Sequence, residues 1–156
     1  MKVFEGSLVA PAGRFALVAA RFNQSVVDHL VEGAKEGFKG SGVAQESIDL
    51  IWVPGSFEIP MVAKRLAAIG KYAAVVCLGA VIRGDTDHYE YVAGEAARGV
   101  AEASMTTGVP VIFGILTCAT EEQALDRAGG KEGNKGYDAA LAAIEIVNLL
   151  QQLPGK

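Results

Sequence analysis

Cysteine is scarce in this chain. Cys77 and Cys118 are the only two among 156 residues, and they do not form a CxxC pair. A disulfide framework or a zinc site is therefore not expected, and both read as small buried hydrophobes. No basic stripe occurs and the net charge is −4, which argues against nucleic acid as a partner. No apolar stretch is long enough to span a bilayer, and the first residues (MKVFEGSLVAPAG) lack a signal peptide's charged and apolar regions. The expectation is a cytoplasmic protein without a membrane partner. Common signatures are missing too: no strand-like segment precedes GxGxxG, and there is no GxxxxGKS/T, HExxH or GxSxG. Common nucleotide loops, a metal-ligand set and a serine nucleophile elbow are not offered.

The chain does have enough apolar residues for a core, with 51% hydrophobic against 21% charged. Alanine, valine and glycine dominate, as in tightly packed α/β layers, and the length suits one domain over residues 1–156. Strand-like and helix-like segments alternate four times. Residues 15–20 (FALVAA) form the first expected strand. Val26, Val27, Leu30, Val31, Ala34 and Phe38 then recur at helical spacing until Gly40-Ser41-Gly42. The second strand is 48–53 (IDLIWV), followed by a helix from near Phe57 to Gly70 that tolerates Pro60 in its first turn. The third strand is 73–82, with a helix over about 87–107, and the fourth is 109–117. Two helical pieces, 121–128 and 137–150, flank a glycine-rich link at 129–136.

Near-continuous apolar strands alternating with helices imply a parallel sheet covered on both faces. The expected fold is a three-layer α/β/α, flavodoxin-like arrangement with a four-stranded parallel sheet. Residues 1–10 are an extra strand candidate, an arm that could pair with a neighbouring subunit's sheet edge.

Ligands bind at the carboxyl ends of such strands, and polar residues concentrate there. The first strand ends in Arg21-Phe22-Asn23, the second in Pro54-Gly55-Ser56-Phe57-Glu58. The third ends in Arg83-Gly84-Asp85-Thr86-Asp87-His88-Tyr89, the fourth in Leu116-Thr117-Cys118. All four clusters should converge on one edge. Gly84-Asp85-Thr86 would present backbone N–H groups and a hydroxyl at a helix N-terminus, which suits a phosphate. A capped helix start without a ligand explains the same residues. His88, one turn deeper, is a residue suited to moving protons near neutral pH. Phe22 could stack on a planar heterocycle or be a core residue. Ser56 and Glu58 could bind a polyol, or cap a helix and complement its dipole. Arg127, Lys131 and Lys135 form a basic cluster that could be a second arm of a phosphate site, or favourable charge at a helix end. His29 reads as a surface residue.

Taken together, these clusters resemble the 6,7-dimethyl-8-ribityllumazine synthase family of riboflavin biosynthesis. The matching pieces are residues 21–23, 53–60, 79–89, 110–117 and 127–136, in the family's order and spacing. The resemblance implies that 5-amino-6-(D-ribitylamino)uracil condenses with 3,4-dihydroxy-2-butanone 4-phosphate without cofactor or metal. It implies that Phe22 stacks on the pyrimidine, with Asn23 and Phe57 nearby. Ser56 and Glu58 would hold the ribityl hydroxyls, and backbone at Ala80, Val81 and Ile82 would read the ring edges. Gly84, Asp85, Thr86 and Arg127 would hold phosphate, His88 would carry protons, and Lys135 would lie close to the ring. Phe113 and Arg127 would come from the adjacent subunit.

The implied partners are small-molecule substrates, further copies of the chain and, as a candidate, riboflavin synthase. Family members form pentamers, decamers or icosahedral capsids, and the short 129–136 link resembles the capsid formers. One departure stands out: the family often continues Thr-Glu-Asn after Leu116-Thr117, whereas this chain has Cys118-Ala119-Thr120. An acidic residue at position 85 implies that backbone faces the phosphate there. The competing readings are a non-catalytic flavin-binding flavodoxin-like module, a shell protein without activity, and a riboflavin synthase of the same fold.

Overall fold

The computed structural model describes residues 1–155. In chain order the elements are β1 (Arg14–Ala20), α1 (Gln24–Gly40), β2 (Ile48–Val53), α2 (Ile59–Ala68), β3 (Tyr72–Ile82), α3 (His88–Thr107), β4 (Val111–Cys118), α4 (Glu121–Asp126), β5 (Ala128–Gly130), β6 (Gly133–Asn134) and α5 (Lys135–Gln152). The main sheet has the order β2-β1-β3-β4, with every pairing parallel.

Every residue of β1 after Arg14 is buried, because its side chains point alternately into two covered faces. Phe15, Leu17 and Ala19 share a core with α1 and α5, where Phe15 packs on Phe38 at a centroid distance of 4.7 Å. Ala16, Val18 and Ala20 share the other core with α2 and α3. This is the expected three-layer α/β/α fold. Strand order reverses between β1 and β3, so their carboxyl ends form the crevice where such sheets bind ligands.

At the opposite edge, Asp49 ties the strands together. It accepts from Arg14 at 2.7 Å and from the Tyr72 hydroxyl at 2.6 Å, and it pairs with Lys71 at 3.1 Å. The bonds from Tyr72, then Lys71, hold its carboxyl down at about 2 against burial.

Several expected boundaries shift where local hydrogen bonds decide them. A single 3-10 turn, Ser56–Glu58, precedes α2, which therefore starts at Ile59 rather than near Phe57. The fourth strand begins at Val111, and α4 ends at Asp126. The glycine-rich link is an antiparallel hairpin of β5 and β6, not an open spacer. Helix α5 starts at Lys135, two residues before the expected start, because Asn134 Oδ1 accepts from the N–H groups of Gly136 and Tyr137.

Within this chain residues 1–10 form no strand. They cross their own α5, where Asn148 Nδ2 donates to the carbonyls of Ser7 and Val9 and Gln152 Nε2 to that of Glu5. Side-chain amides thus satisfy three carbonyls of the arm. Gly6 permits the crossing, since a Cβ there would collide with the Glu145 carbonyl.

Candidate active site

Because the four strands are parallel, their polar ends do lie on one edge of the sheet. Within one chain they line two separate pockets. A pocket of 680 Å³ takes in Phe22, Asn23, residues 54–58, 80–82 and 88–89, Tyr91 and Val92. A second, of 470 Å³, is lined by Phe113, residues 115–118, Arg127, Glu132, Lys135 and Asp138. The two have no residue in common. The ends of β1, β2 and β3 build the first, and the free edge of β4 with the start of α5 builds the second.

In the first pocket Phe22 is 72% exposed, so it is no core residue. Its N–H donates to the Pro54 carbonyl, and that of Arg21 to Val53, which carries the β1–β2 register past the strand ends. Asn23 starts α1 in the left-handed region at φ 61, and its Nδ2 donates to the Ala80 carbonyl at 2.8 Å. On β3, Arg83 N–H faces β4, bonding to the Cys118 carbonyl, while Ala80 faces β1. Alternation then turns the peptide groups of Ile82 toward β1, which has already ended; its last paired residue is Ala19, opposite Leu78. Ile82 thus offers a donor and an acceptor at the pocket edge, whereas the Ala80 carbonyl is occupied.

Ser56 does not cap α2, the second of the two readings open to it; no side-chain cap bond forms there. It is only 6% exposed and packs over Gly79, where an added Cβ would come 2.5 Å from Ser56 Oγ. A buried hydroxyl lining a pocket is a natural partner for a ligand hydroxyl. Glu58 is the N-cap residue of α2 and is exposed at the rim beside Phe57.

His88 is the first residue of α3, not one turn into it. Its N–H meets Thr86 Oγ1 at 3.3 Å. Gly84, Asp85 and Thr86 are exposed and line neither pocket. A Cβ on Gly84 would meet nothing, so the fold of this chain does not itself require glycine there. Arg83 closes the loop from outside: its guanidinium lies 4.3 Å over the Tyr89 ring and pairs with Glu90 at 2.6 Å.

In the second pocket Phe113 is 37% exposed on the edge strand. Arg127 Nη1 donates to the Gln123 carbonyl at 3.1 Å, fixing its base at the end of α4. Lys135 joins it from the first turn of α5. Lys131 does not; it pairs with Asp126 at 3.6 Å, so the basic cluster is only partly a site. Burial pushes the Cys118 thiol up, and the charge of Arg127 opposes that. Cys77 is buried and also pushed up, so neither cysteine is a ready thiolate.

Sequence reasoning missed Tyr89, Tyr91 and Val92 in the first pocket and Glu132 and Asp138 in the second. Tyr91, a large exposed aromatic three residues after His88, was the available signal. A third hollow, between α1 and the β5–β6 hairpin, is lined by His29, Glu32 and Glu36 and offers no cation for a phosphate. No described helix is long and apolar enough to cross a membrane.

The chain matches the family model described as 6,7-dimethyl-8-ribityllumazine synthase over residues 12–151. It is 52% identical over 153 residues to the 6,7-dimethyl-8-ribityllumazine synthase of Clostridium kluyveri, covering 98% of this chain and 99% of that relative.

Proposed function

The chain belongs to the 6,7-dimethyl-8-ribityllumazine synthase family, and on that premise we propose that it carries out the family's condensation in the pocket beyond β1, β2 and β3. The amine of 5-amino-6-(D-ribitylamino)uracil attacks the ketone of 3,4-dihydroxy-2-butanone 4-phosphate. Water leaves as the imine forms, phosphate is eliminated, and ring closure releases a second water to give 6,7-dimethyl-8-ribityllumazine. The observation that carries the placement is one pocket holding an exposed aromatic face, Phe22, a buried hydroxyl, Ser56, and the imidazole of His88.

The family resemblance supports the following roles. Phe22 stacks on the pyrimidine and Ile82 main chain reads its edge. Ser56 and Glu58 hold the ribityl hydroxyls, with Phe57 beside them. Gly84, Asp85 and Thr86 receive the phosphate through backbone and the Thr86 hydroxyl, and His88 moves protons during imine formation and elimination. Holding two soluble reactants together supplies much of the acceleration, up to roughly 7–11 kcal/mol in ideal cases.

Phe113, Arg127 and Lys135 belong to the other pocket of the same chain, which supports a site completed by a neighbouring copy. In that reading the β4 edge of one subunit closes the first pocket of the next, bringing Arg127 to the phosphate and Phe113 and Lys135 to the ring. A cyclic pentamer repeats one such contact around a ring. The uninterrupted β5–β6 hairpin supports assembly of pentamers into a capsid; elution at pentamer mass in moderate salt at neutral pH would refute the capsid. The same reading puts the enzyme in the cytoplasm, with riboflavin synthase as the consumer of its product.

The test is to mix the protein with both substrates and follow lumazine absorbance and fluorescence over the uncatalysed rate. Acceleration supports the reading. Tight flavin binding with no acceleration, in an intact oligomer, would replace it with the non-catalytic module.

A further inference from the structure

Asn23 is the only non-glycine residue at positive φ among the described residues. Left-handed backbone is disfavoured for a residue with a Cβ, though asparagine tolerates it better than most. Such strain persists where surroundings over-determine it, and here they do. The Asn23 carbonyl accepts from Val26 and Val27 N–H to open α1, while its side chain reaches across to Ala80 on β3. The link therefore spans the β1–β3 switch point, the crevice in which the ligand is expected.

Phe22 explains why the link matters. A ring that is 72% exposed has little packing to fix it, so its place depends on the backbone of residues 21–23. Hydrogen bonds to Val53 and Pro54 tie the first two residues to the end of β2. Only the Asn23 amide ties this turn to β3, whose Ile82 peptide forms the facing edge of the pocket.

We propose that Asn23 is a positioning residue: its Nδ2–Ala80 bond sets the gap between the Phe22 ring and the Ile82 peptide, and so selects a planar heterocycle that is stacked and edge-bonded at once. This inference rests on the functional reading above and refines it, because Asn23 acts through Ala80 and not as a ligand of the heterocycle. The Asn23 amide also takes one of the two lone pairs of the Ala80 carbonyl, while both peptide groups of Ile82 stay free for edge reading.

Two variants separate the roles. Asn23→Gly keeps the left-handed turn and deletes the link. Asn23→Asp keeps an acceptor but sets a carboxylate against the Ala80 carbonyl. KM for each substrate and kcat are measured on the assembled protein, with thermal melting alongside. For Asn23→Gly the KM for the ribitylaminouracil rises about five- to tenfold, the size of one lost hydrogen bond, while the KM for the butanone phosphate stays within about twofold. Asn23→Asp is worse than Asn23→Gly on the same KM. An Asp variant equal to or better than Gly makes Asn23 an acceptor for the substrate and overturns the proposal, as does a Gly variant with unchanged KM. If Asn23→Asp does not fold, the Gly variant alone decides. A wild-type protein that forms no lumazine sinks the functional reading and this inference with it; a wild type that turns over confines any failure to Asn23.

Discussion

Asn134 joins two distant stretches of the chain: its Nδ2 donates to the main-chain carbonyl of His29 at 3.0 Å, while its Oδ1 accepts from Gly136 at 2.8 Å. One side chain thus caps α5 and anchors it to α1. Gly33 makes room for it, since a Cβ there would overlap the Asn134 amide. Asn134→Ala should lose a cap and an interhelix bond together, about 2 kcal/mol. Urea unfolding measures this; a loss below about 0.5 kcal/mol would show that water replaces both bonds.

The two-pocket arrangement predicts complementation. Arg127→Ala should chiefly raise the KM of the phosphate substrate, and His88→Ala should cut kcat about a hundredfold or more. Unfolding the two variants together and refolding them should restore about a quarter of wild-type activity, the chance that an unaltered His88 meets an unaltered Arg127 across a random interface. No recovery in correctly sized assemblies would place both residues in the site of one chain.

Arg83 bridges Tyr89 and Glu90, the two residues after His88. Lysine can neither stack as a plane nor fork to a carboxylate. Arg83 and Glu90 are about half exposed, so the clamp contributes modestly. Arg83→Lys should lower kcat up to about tenfold with no change in melting or assembly. Unchanged kcat would mean that the loop from Gly84 to Asp87 holds its shape unaided.

Asp49 gives a pH test of the fold. Its carboxyl sits at about 2 in the folded chain, against an ordinary value of 3.8. A lowered folded-state value means the ionised group stabilises the fold above the unfolded value and ceases to as pH falls through the folded one. The stability gap between wild type and Asp49→Asn should therefore be full above about pH 4 and close by about pH 2. Denaturant midpoints at a series of pH values measure it, and a gap that stays constant through that window contradicts the assignment.

Much of the fold was legible because burial leaves a mark on composition. The apolar runs in β1 and β3 could only be strands covered on both faces, and β2 was placed residue for residue. Boundaries failed where a side-chain bond to backbone decided them, as Asn134 decided the start of α5. The course of residues 1–10 along α5 was not legible, because the amides of Asn148 and Gln152 that hold it lie about 140 residues away in sequence. Residue type alone left Phe22 and Ser56 with two readings each. The phenylalanine is exposed and the serine is buried, because exposure depends on where β2 and β3 end relative to β1.

Sequence by itself determined the layering, the parallel sheet, the edge on which the polar clusters gather and, through the order of its motifs, the family. Those follow from local periodicity and from the fixed direction of parallel strands. Tertiary structure alone decided which side chains line the aromatic pocket and which the Arg127 pocket, and that Asn23 spans the crevice to Ala80. Both depend on strand order, which brings residues 57 positions apart within one hydrogen bond and turns the edge of β4 away from the ends of β1 and β2.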